Sequence, residues 1–556
     1  MSRKRWLPGL LAASLCLSAC GTIGVPESGE VQFHPMSSVR PVTEVQVEAM
    51  PPAADADPAT IVEGFLHAMG VYQNNYAIAR LYLTAEASAN WMPTSGVKIY
   101  QDGALPRVVE DDVLLNAPLE GELDAVGAFR PASGQLRHDF ALEQNELGQW
   151  RISNPPEGLL VSRYLFDEGW TGVNLYLAKY GSTLLVPELL QLPLGDSLLE
   201  TTVERLLLHT GGWRGAAREA LGLTLVSATT QNGTATLDLG GATLMLTQED
   251  RSHLLAELTL TLTQLNGVTG VTVMANGVPW TIPGHDDLVF RAADFASRDP
   301  GARQAQLYVT SSALALAPED QEMITPVLGV SGQFAVSAST NQVAYLAADA
   351  ATVYVRDRSA TAAAEFTGEA WLRPDFDTLG RLWIAQSSSL ASLQTVVGAV
   401  AIPAVGEGLP EGTLVAFRVS PEAARVAAVL RGADGFSLGL ASLAVTDSQV
   451  TLSAWTQIAL PLAEGNELLD VGWSGVNELE VLVSNAQADT NVYQVSVDGA
   501  RITDLGPSSA TGLVELACAP GVETVARAAT GNVYRLEGEF DWPLLLTGAT
   551  GIDYGR

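Results

Sequence analysis

The last 254 residues, 303–556, carry no long helical pattern; short apolar strands recur there instead, separated by Gly, Asp and Ser. Phe334-Ala335-Val336-Ser337 precedes Val343-Ala344-Tyr345-Leu346, and Trp371-Leu372-Arg373-Pro374-Asp375 precedes Leu382-Trp383-Ile384-Ala385. Phe417-Arg418-Val419-Ser420-Pro421 then precedes Arg425 to Leu430, and Leu469-Asp470-Val471-Gly472-Trp473 precedes Leu479 to Val483. The starting points at 334, 371, 417 and 469 lie 37, 46 and 52 residues apart. A short sheet of that size buries its faces only by stacking on others like it, and the four-stranded blade of a β-propeller repeats at about 40–50 residues. The segment 303–556 is therefore expected to form an all-β propeller of five or six blades. A pair of β-sandwiches would need a domain boundary inside it, and none is visible.

Upstream the rhythm differs. Asp57 is an N-cap candidate and Pro58 suits the first helical position. Ile61, Val62, Phe65, Leu66 and Met69 follow at helical spacing. A second helix is expected over Tyr76 to Leu83, and Thr84 caps a third. Strands then follow at Val97–Gln101, Arg107–Leu115, His138–Glu143 and Trp150–Ser153, which makes 57–160 an α+β domain. Pro155-Pro156 and Gly158 close it. Between 163 and 290 the order becomes β-β-α-β-β-α-β. Its marks are an Asn232-Gly233 hairpin turn, a helix from Ser197 to Leu208, and a Thr247…Asp250 capping box opening a helix that runs to Asn266-Gly267.

The N-terminus is a processing signal. Arg3, Lys4 and Arg5 precede an apolar stretch from Trp6 to Leu17, and Leu17-Ser18-Ala19-Cys20 follows. Basic start, short apolar core and small-residue cleavage site are the requirements of a secretory signal. A retained membrane helix would need about 20 apolar residues, and Gly21, Pro26 and Glu27 interrupt this one after about a dozen. The expected cut lies between Ala19 and Cys20, removing residues 1–19. Residues 20–56, rich in Gly, Pro, Ser and acids, then form a semi-extended tether.

Without the first 19 residues, 537 remain, and the formal charge of −32 becomes −35 because Arg3, Lys4 and Arg5 leave. So acidic a body excludes nucleic acid as a partner, which requires a basic footprint. Of three cysteines, Cys16 leaves with the signal and Cys20 is the expected modification site. Only Cys518 remains, so no intramolecular disulfide is possible. Its setting, Val514-Glu515-Leu516-Ala517-Cys518-Ala519, is that of a core residue.

Leu-Ser-Ala-Cys matches the lipobox of bacterial lipoprotein signals, which implies S-diacylglycerol and N-acyl groups on Cys20. The segment 57–160 resembles the cone-shaped NTF2-like fold, and 163–290 resembles the α/β GerMN domain. In this order, with the propeller after them, they resemble the LpqB lipoproteins of actinobacteria. Asp57-Pro58, Trp150-Arg151-Ile152 before Pro155-Pro156, and the Asp375 to Trp383 segment carry the resemblance locally. It implies an accessory protein of the MtrA/MtrB two-component system, lipid-anchored on the extracytoplasmic face of the cell membrane. Its partner would be the extracytoplasmic domain of the sensor kinase.

A catalytic constellation would change this reading. The six histidines, His34, His67, His138, His209, His253 and His285, form no His-Glu-x-x-His or other tight metal spacing. His253 and Glu257, four apart on a helix, read as a surface pair. Gly472-Trp473-Ser474-Gly475 lacks the last glycine of a nucleophile elbow, because Val476 stands there. Gly211-Gly212 and Gly240-Gly241 are turn devices. Asp375 with Asp377, and Asp286 with Asp287, read as turn carboxylates rather than calcium ligands. Trp371, Trp383, Trp455 and Trp473 read as inter-blade core rather than a ligand surface. No catalytic residue, metal or cofactor is expected. The favoured function is a tethered interaction protein that modulates a signalling partner. A cell-wall glycan or peptide binder is the alternative, and a propeller hydrolase or oxidoreductase the third class.

Overall fold

In the computed structural model the described residues are 49–556, except 73, 110–111, 180–181, 210–220, 283–284, 286, 303–304, 312–313, 317–322, 325–329, 358–361, 398–399, 447–448, 507–509 and 539. Ala19, Cys20, Cys16 and His34 lie outside the described residues, as do Gly211-Gly212 and Asp286.

The first domain opens with α1, Pro58–Gly70, whose first turn is capped by Asp57 accepting from the Thr60 amide at 3.0 Å. Its apolar stripe, Ile61, Val62, Phe65, Leu66 and Met69, is buried against a six-stranded sheet. Phe65 sits among Trp91 and Phe140, with ring centroids 5.4 and 6.3 Å away. Burying such a ring contributes about 1.5–3 kcal/mol. Helix α3, Ala85–Asn90, is capped by Thr84 as expected. The second helix is only α2, Ala77–Arg80, one turn rather than the expected Tyr76 to Leu83. Leu83 is drawn instead into a bridge with Ile152. The expected strand Arg107–Leu115 is two, Arg107–Val109 and Asp112–Leu123, paired as a hairpin. The core extends beyond residue 160 to Phe166 in α4, Arg163–Gly169, and to Trp170.

The second domain follows the expected element order. Trp170–Leu177 pairs with Val186–Pro193 and leads to α5, Leu198–Leu208. The Thr224–Gln231 and Thr234–Gly240 hairpin turns at Asn232 (φ 51°) and Gly233 (φ 79°), a conformation Asn-Gly accepts readily. Helix α6, Gln248–Leu262, starts in the Thr247–Asp250 capping box. It crosses to Gly270–Ala275, which runs parallel to Thr234–Gly240.

The remainder is a propeller with six four-stranded blades among the described residues. The innermost strands of blades 2 to 6 are Val330–Ser337, Asp375–Phe376, Thr413–Val419, Glu467–Trp473 and Leu513–Ala517. Blade 1 is composite. Gln306–Thr310, Leu314–Leu316 and Met323–Ile324 supply its outer strands, and Gly551–Gly555 returns to be its innermost one. Gln306 pairs with Gly555 and Thr310 with Gly551, which closes the ring. Gly551 and Gly332 sit where blades 1 and 2 meet. A Cβ on Gly551 would run into the Gly332 carbonyl, so this joint needs glycine. Outer strands of blades 3 and 4, Val400–Gly406 and Val450–Ile458, also pair in parallel. Trp371, Trp383 and Trp473 are buried between blades, whereas Trp455 is half-buried beside them.

Candidate functional site

Five of the six innermost strands have charged residues set into them, Val330–Ser337 of blade 2 being the exception, and the ring brings those charges together. Arg373, just before the blade 3 strand, is 7% exposed and lies across the channel. Its Nη2 meets Asp553 Oδ1 of blade 1 at 2.7 Å, and its Nη1 meets Glu515 Oε1 of blade 6 at 3.2 Å and Asp470 Oδ2 of blade 5 at 3.7 Å. It also donates to the carbonyls of Phe334, Leu516 and Ile552 at 3.3, 2.9 and 2.6 Å. Burial opposes its charge, but Glu515, Asp553, Asp470 and Asp375 outweigh that and hold the guanidinium above the ordinary arginine range.

Three aspartates also stitch neighbouring blades through the backbone. Asp375 accepts from the Val419 amide at 2.8 Å, Asp470 from the Leu516 amide at 3.0 Å, and Asp553 from the Val336 amide at 3.0 Å. Arg418 reaches Asp470 at 3.4 Å, Arg527 holds Glu515 Oε2 at 2.7 Å, and Arg556 lies 3.7 Å from Asp375. Burial pushes the Glu515 and Asp553 carboxyls up, and the adjacent arginines only partly restore them. Around these groups the channel widens to a cavity of about 200 Å³. Buried charges on this scale are costly unless paired, and removing one partner is more costly than the pair is stabilising.

A second feature joins the domains. The blade 5 hairpin between Thr490–Ser496 and Ile502–Asp504 places Ala500 in the first domain's core. Arg163 Nη2 donates to the Ala500 carbonyl and Arg501 Nη2 to the Trp170 carbonyl, both at 2.6 Å. Gln191 donates to Asp498 at 2.8 Å, and Asn477 of blade 5 donates to Asn174 of the second domain at 2.7 Å. Separately, the first domain carries an open groove of about 560 Å³ lined by Trp91, Met92, Pro155, Pro156 and three glutamates.

The residues weighed for chemistry are dispersed. His138 packs on Phe140, His285 stacks on Phe290, and His209 lies 3.2 Å from Glu188. Glu257 is not the surface partner of His253 expected from their spacing: it is fully buried and accepts from the Ala178 amide at 2.7 Å. Asp377 is a turn carboxylate that binds the Leu379 and Arg381 amides, the Arg381 guanidinium and Trp383 Nε1. Asp287 accepts from the Val289 amide. Cys518 is buried, its thiol pushed up first by burial and then by Glu480. Among the described residues no group of three His, Cys, Asp or Glu is arranged to hold a metal, and no helix is long and apolar enough to cross a membrane. Of the hub charges only Asp375 was singled out from the sequence, as a turn carboxylate; it is instead a buried strand residue bonded to the Val419 amide of the next blade, whereas Asp377 is the turn carboxylate expected. The signal of the others is a charge flanked by apolar residues in Phe417-Arg418-Val419, Leu469-Asp470-Val471, Val514-Glu515-Leu516 and Ile552-Asp553-Tyr554.

Three known families match the chain in succession. Residues 51–167 match the N-terminal domain of lipoprotein LpqB, 174–281 a family described as sporulation and spore germination, and 314–551 the lipoprotein LpqB beta-propeller domain. Lipoprotein LpqB of Cutibacterium acnes is 27% identical over 98% of this chain and 98% of its own length. That of Thermobifida fusca is 24% identical over 83% and 84%. That of Streptomyces avermitilis is 34% identical over 28% of this chain and 27% of its own. Among solved structures, the first GerMN domain of GerM from Bacillus subtilis is 22% identical, covering 22% of this chain and 99% of that one, with a TM-score of 0.18.

Proposed function

Because the chain belongs to the LpqB family of lipoproteins, we propose that it is a membrane-anchored modulator of a sensor kinase of the MtrA/MtrB type. Through that kinase it would act on envelope and division physiology. In this reading residues 1–19 are removed, Cys20 carries the acyl chains on the extracytoplasmic face, and the body binds the extracytoplasmic part of the kinase without catalysing a reaction. Two or three acyl chains on one residue pass the threshold that a single chain reaches only marginally.

The observation that supports this most is the junction at blade 5. A hairpin of the propeller buried in the first domain, with polar bonds to both upstream domains, makes the three folded parts present one surface. A body of net charge −35 without its first 19 residues gains on-rate from a basic patch on its partner, an effect that salt weakens. Biolayer interferometry of the chain against the kinase's extracytoplasmic domain, at low and physiological salt, tests this. Binding below about 100 μM is expected. No binding at that level, with clear binding to peptidoglycan fragments, would replace it with the cell-wall reading. The groove beside Trp91 and Pro155-Pro156 is the feature that favours that second reading.

A further inference from the structure

Trp91 and the two prolines beside it line the first domain's groove, and hydrogen bonds fix them in place. Trp91 is buried, and its Nε1 donates to the Pro156 and Gly158 carbonyls at 3.0 and 3.2 Å. Met92, next in the chain, is 64% exposed and adds a large apolar side chain to the lining. Three carboxylates stand around these residues: Glu86 in the first turn of α3, Glu143 on the strand Leu142–Gln144, and Glu157 directly after the prolines. All three are exposed, and none of their side chains forms a hydrogen bond or ion pair among the described residues. Two arginines of the flanking elements are committed elsewhere. Arg80 donates to Asn75 and to the Ser88 and Trp91 carbonyls, and Arg151 to Gln149 and the Trp150 carbonyl. Neither lines the groove.

We propose that this groove is a docking site for a basic peptide segment of a partner protein, one in which arginine or lysine alternates with an apolar residue. The apolar side chain covers Met92 and the prolines, and the cations on either side of it face the three carboxylates. An exposed ion pair contributes little alone; three carboxylates around one apolar strip reward a ligand that carries both kinds of group. The volume of about 560 Å³ falls in the range of about 300–1,000 Å³ that takes a few side chains rather than a folded domain. A cleft of this kind also suits the cell-wall reading, but a muropeptide brings carboxylates of its own, which the rim repels. A second copy of this chain, at net charge −35 without its first 19 residues, is repelled in the same way. The site holds whether or not the partner is a kinase.

Fluorescence anisotropy on the detergent-solubilised full chain tests this. The probe is a hexapeptide alternating arginine and leucine, labelled at one end and amidated at the other. A Kd below about 100 μM is expected. Citrulline in place of arginine keeps the shape without the charge and should weaken binding by about tenfold or more. Glu86→Gln/Glu143→Gln/Glu157→Gln should do the same, and Met92→Ser should weaken it by about threefold or more. Glu407→Gln/Glu411→Gln/Glu464→Gln removes three exposed acids of the propeller instead and should leave Kd within about twofold. If a groove variant does not fold, the peptide series on the unaltered chain decides alone, with a disaccharide-tetrapeptide muropeptide as competitor. No binding at about 1 mM, citrulline peptide or muropeptide binding as tightly as the arginine peptide, or an equal loss in the propeller variant overturns the proposal.

Discussion

Replacing Arg373 with Met keeps most of the side-chain volume and removes the charge at the centre of the propeller. Three carbonyls, from blades 1, 2 and 6, lose their donor, Asp553 loses its nearest cation, and Glu515 loses one of its two arginines, keeping Arg527. Breaking a buried ion pair from one side costs about 3–5 kcal/mol, and the orphaned carbonyls place the total near the upper end, about 5 kcal/mol. For a domain of this size each kcal/mol moves Tm by about 2–4 °C, so the propeller transition should fall by roughly 10–20 °C. The loss must depend on pH. Burial already raises the Asp553 and Glu515 carboxyls, and without Arg373 they bind protons more readily in the folded state than in the unfolded one. Stability of the variant therefore rises as pH falls, and the deficit should be smaller at pH 5 than at pH 8. Calorimetric melts at both pH values, with Arg373→Met/Glu515→Gln as the compensated partner, make the measurement. A variant melting within about 3 °C of the parent at pH 8, or an equal deficit at both pH values, would refute the hub argument.

Three further outcomes are expected. Glu480 lies buried beside Ser474, Thr524 and Cys518, and burial pushes its carboxyl up to about 7. Its ionisation therefore opposes folding as pH rises from the unfolded value through 7, so Glu480→Gln should stabilise by on the order of 3 kcal/mol at pH 8 and by nothing near pH 4.5, as read by denaturant titration. Cys20→Ala should abolish incorporation of labelled palmitate and either leave unprocessed precursor or release the body from the membrane, with fractionation as the readout. Reducing agent should leave Tm within about 1 °C, because Cys518 is free and buried; a drop of several degrees would reveal an intermolecular disulfide.

Much of the architecture was readable because its signals are local. Asp57-Pro58, Thr84, Asn232-Gly233 and Thr247…Asp250 each satisfy backbone groups within a few residues, and each forms as expected. The misjudged elements are those set by distant partners. Leu83 leaves a helical pattern for a bridge to Ile152, and Glu257 turns from the surface to the Ala178 amide, 79 residues away. The number of blades stayed open because blade 1 is assembled from both ends of its segment, so no single stretch displays it. The hub was the least legible part. A lone charge in an apolar strand looks like a local anomaly until the ring is closed; Arg373 finds its carbonyl partners 143 and 179 residues along the chain.

That closure also has a consequence in time. Thr310 and Gly551, which pair in blade 1, are separated by 241 residues. Until Gly551–Gly555 is in place, the edge of Gln306–Thr310 that will receive it has no partner, and an unpaired strand edge templates aggregation. Arg373 waits as well, since Ile552 and Asp553 arrive with the same strand. A chain cut short before residue 551 would lack both the final strand and the counter-charge at the hub. The strand that closes the ring thus also completes the hub.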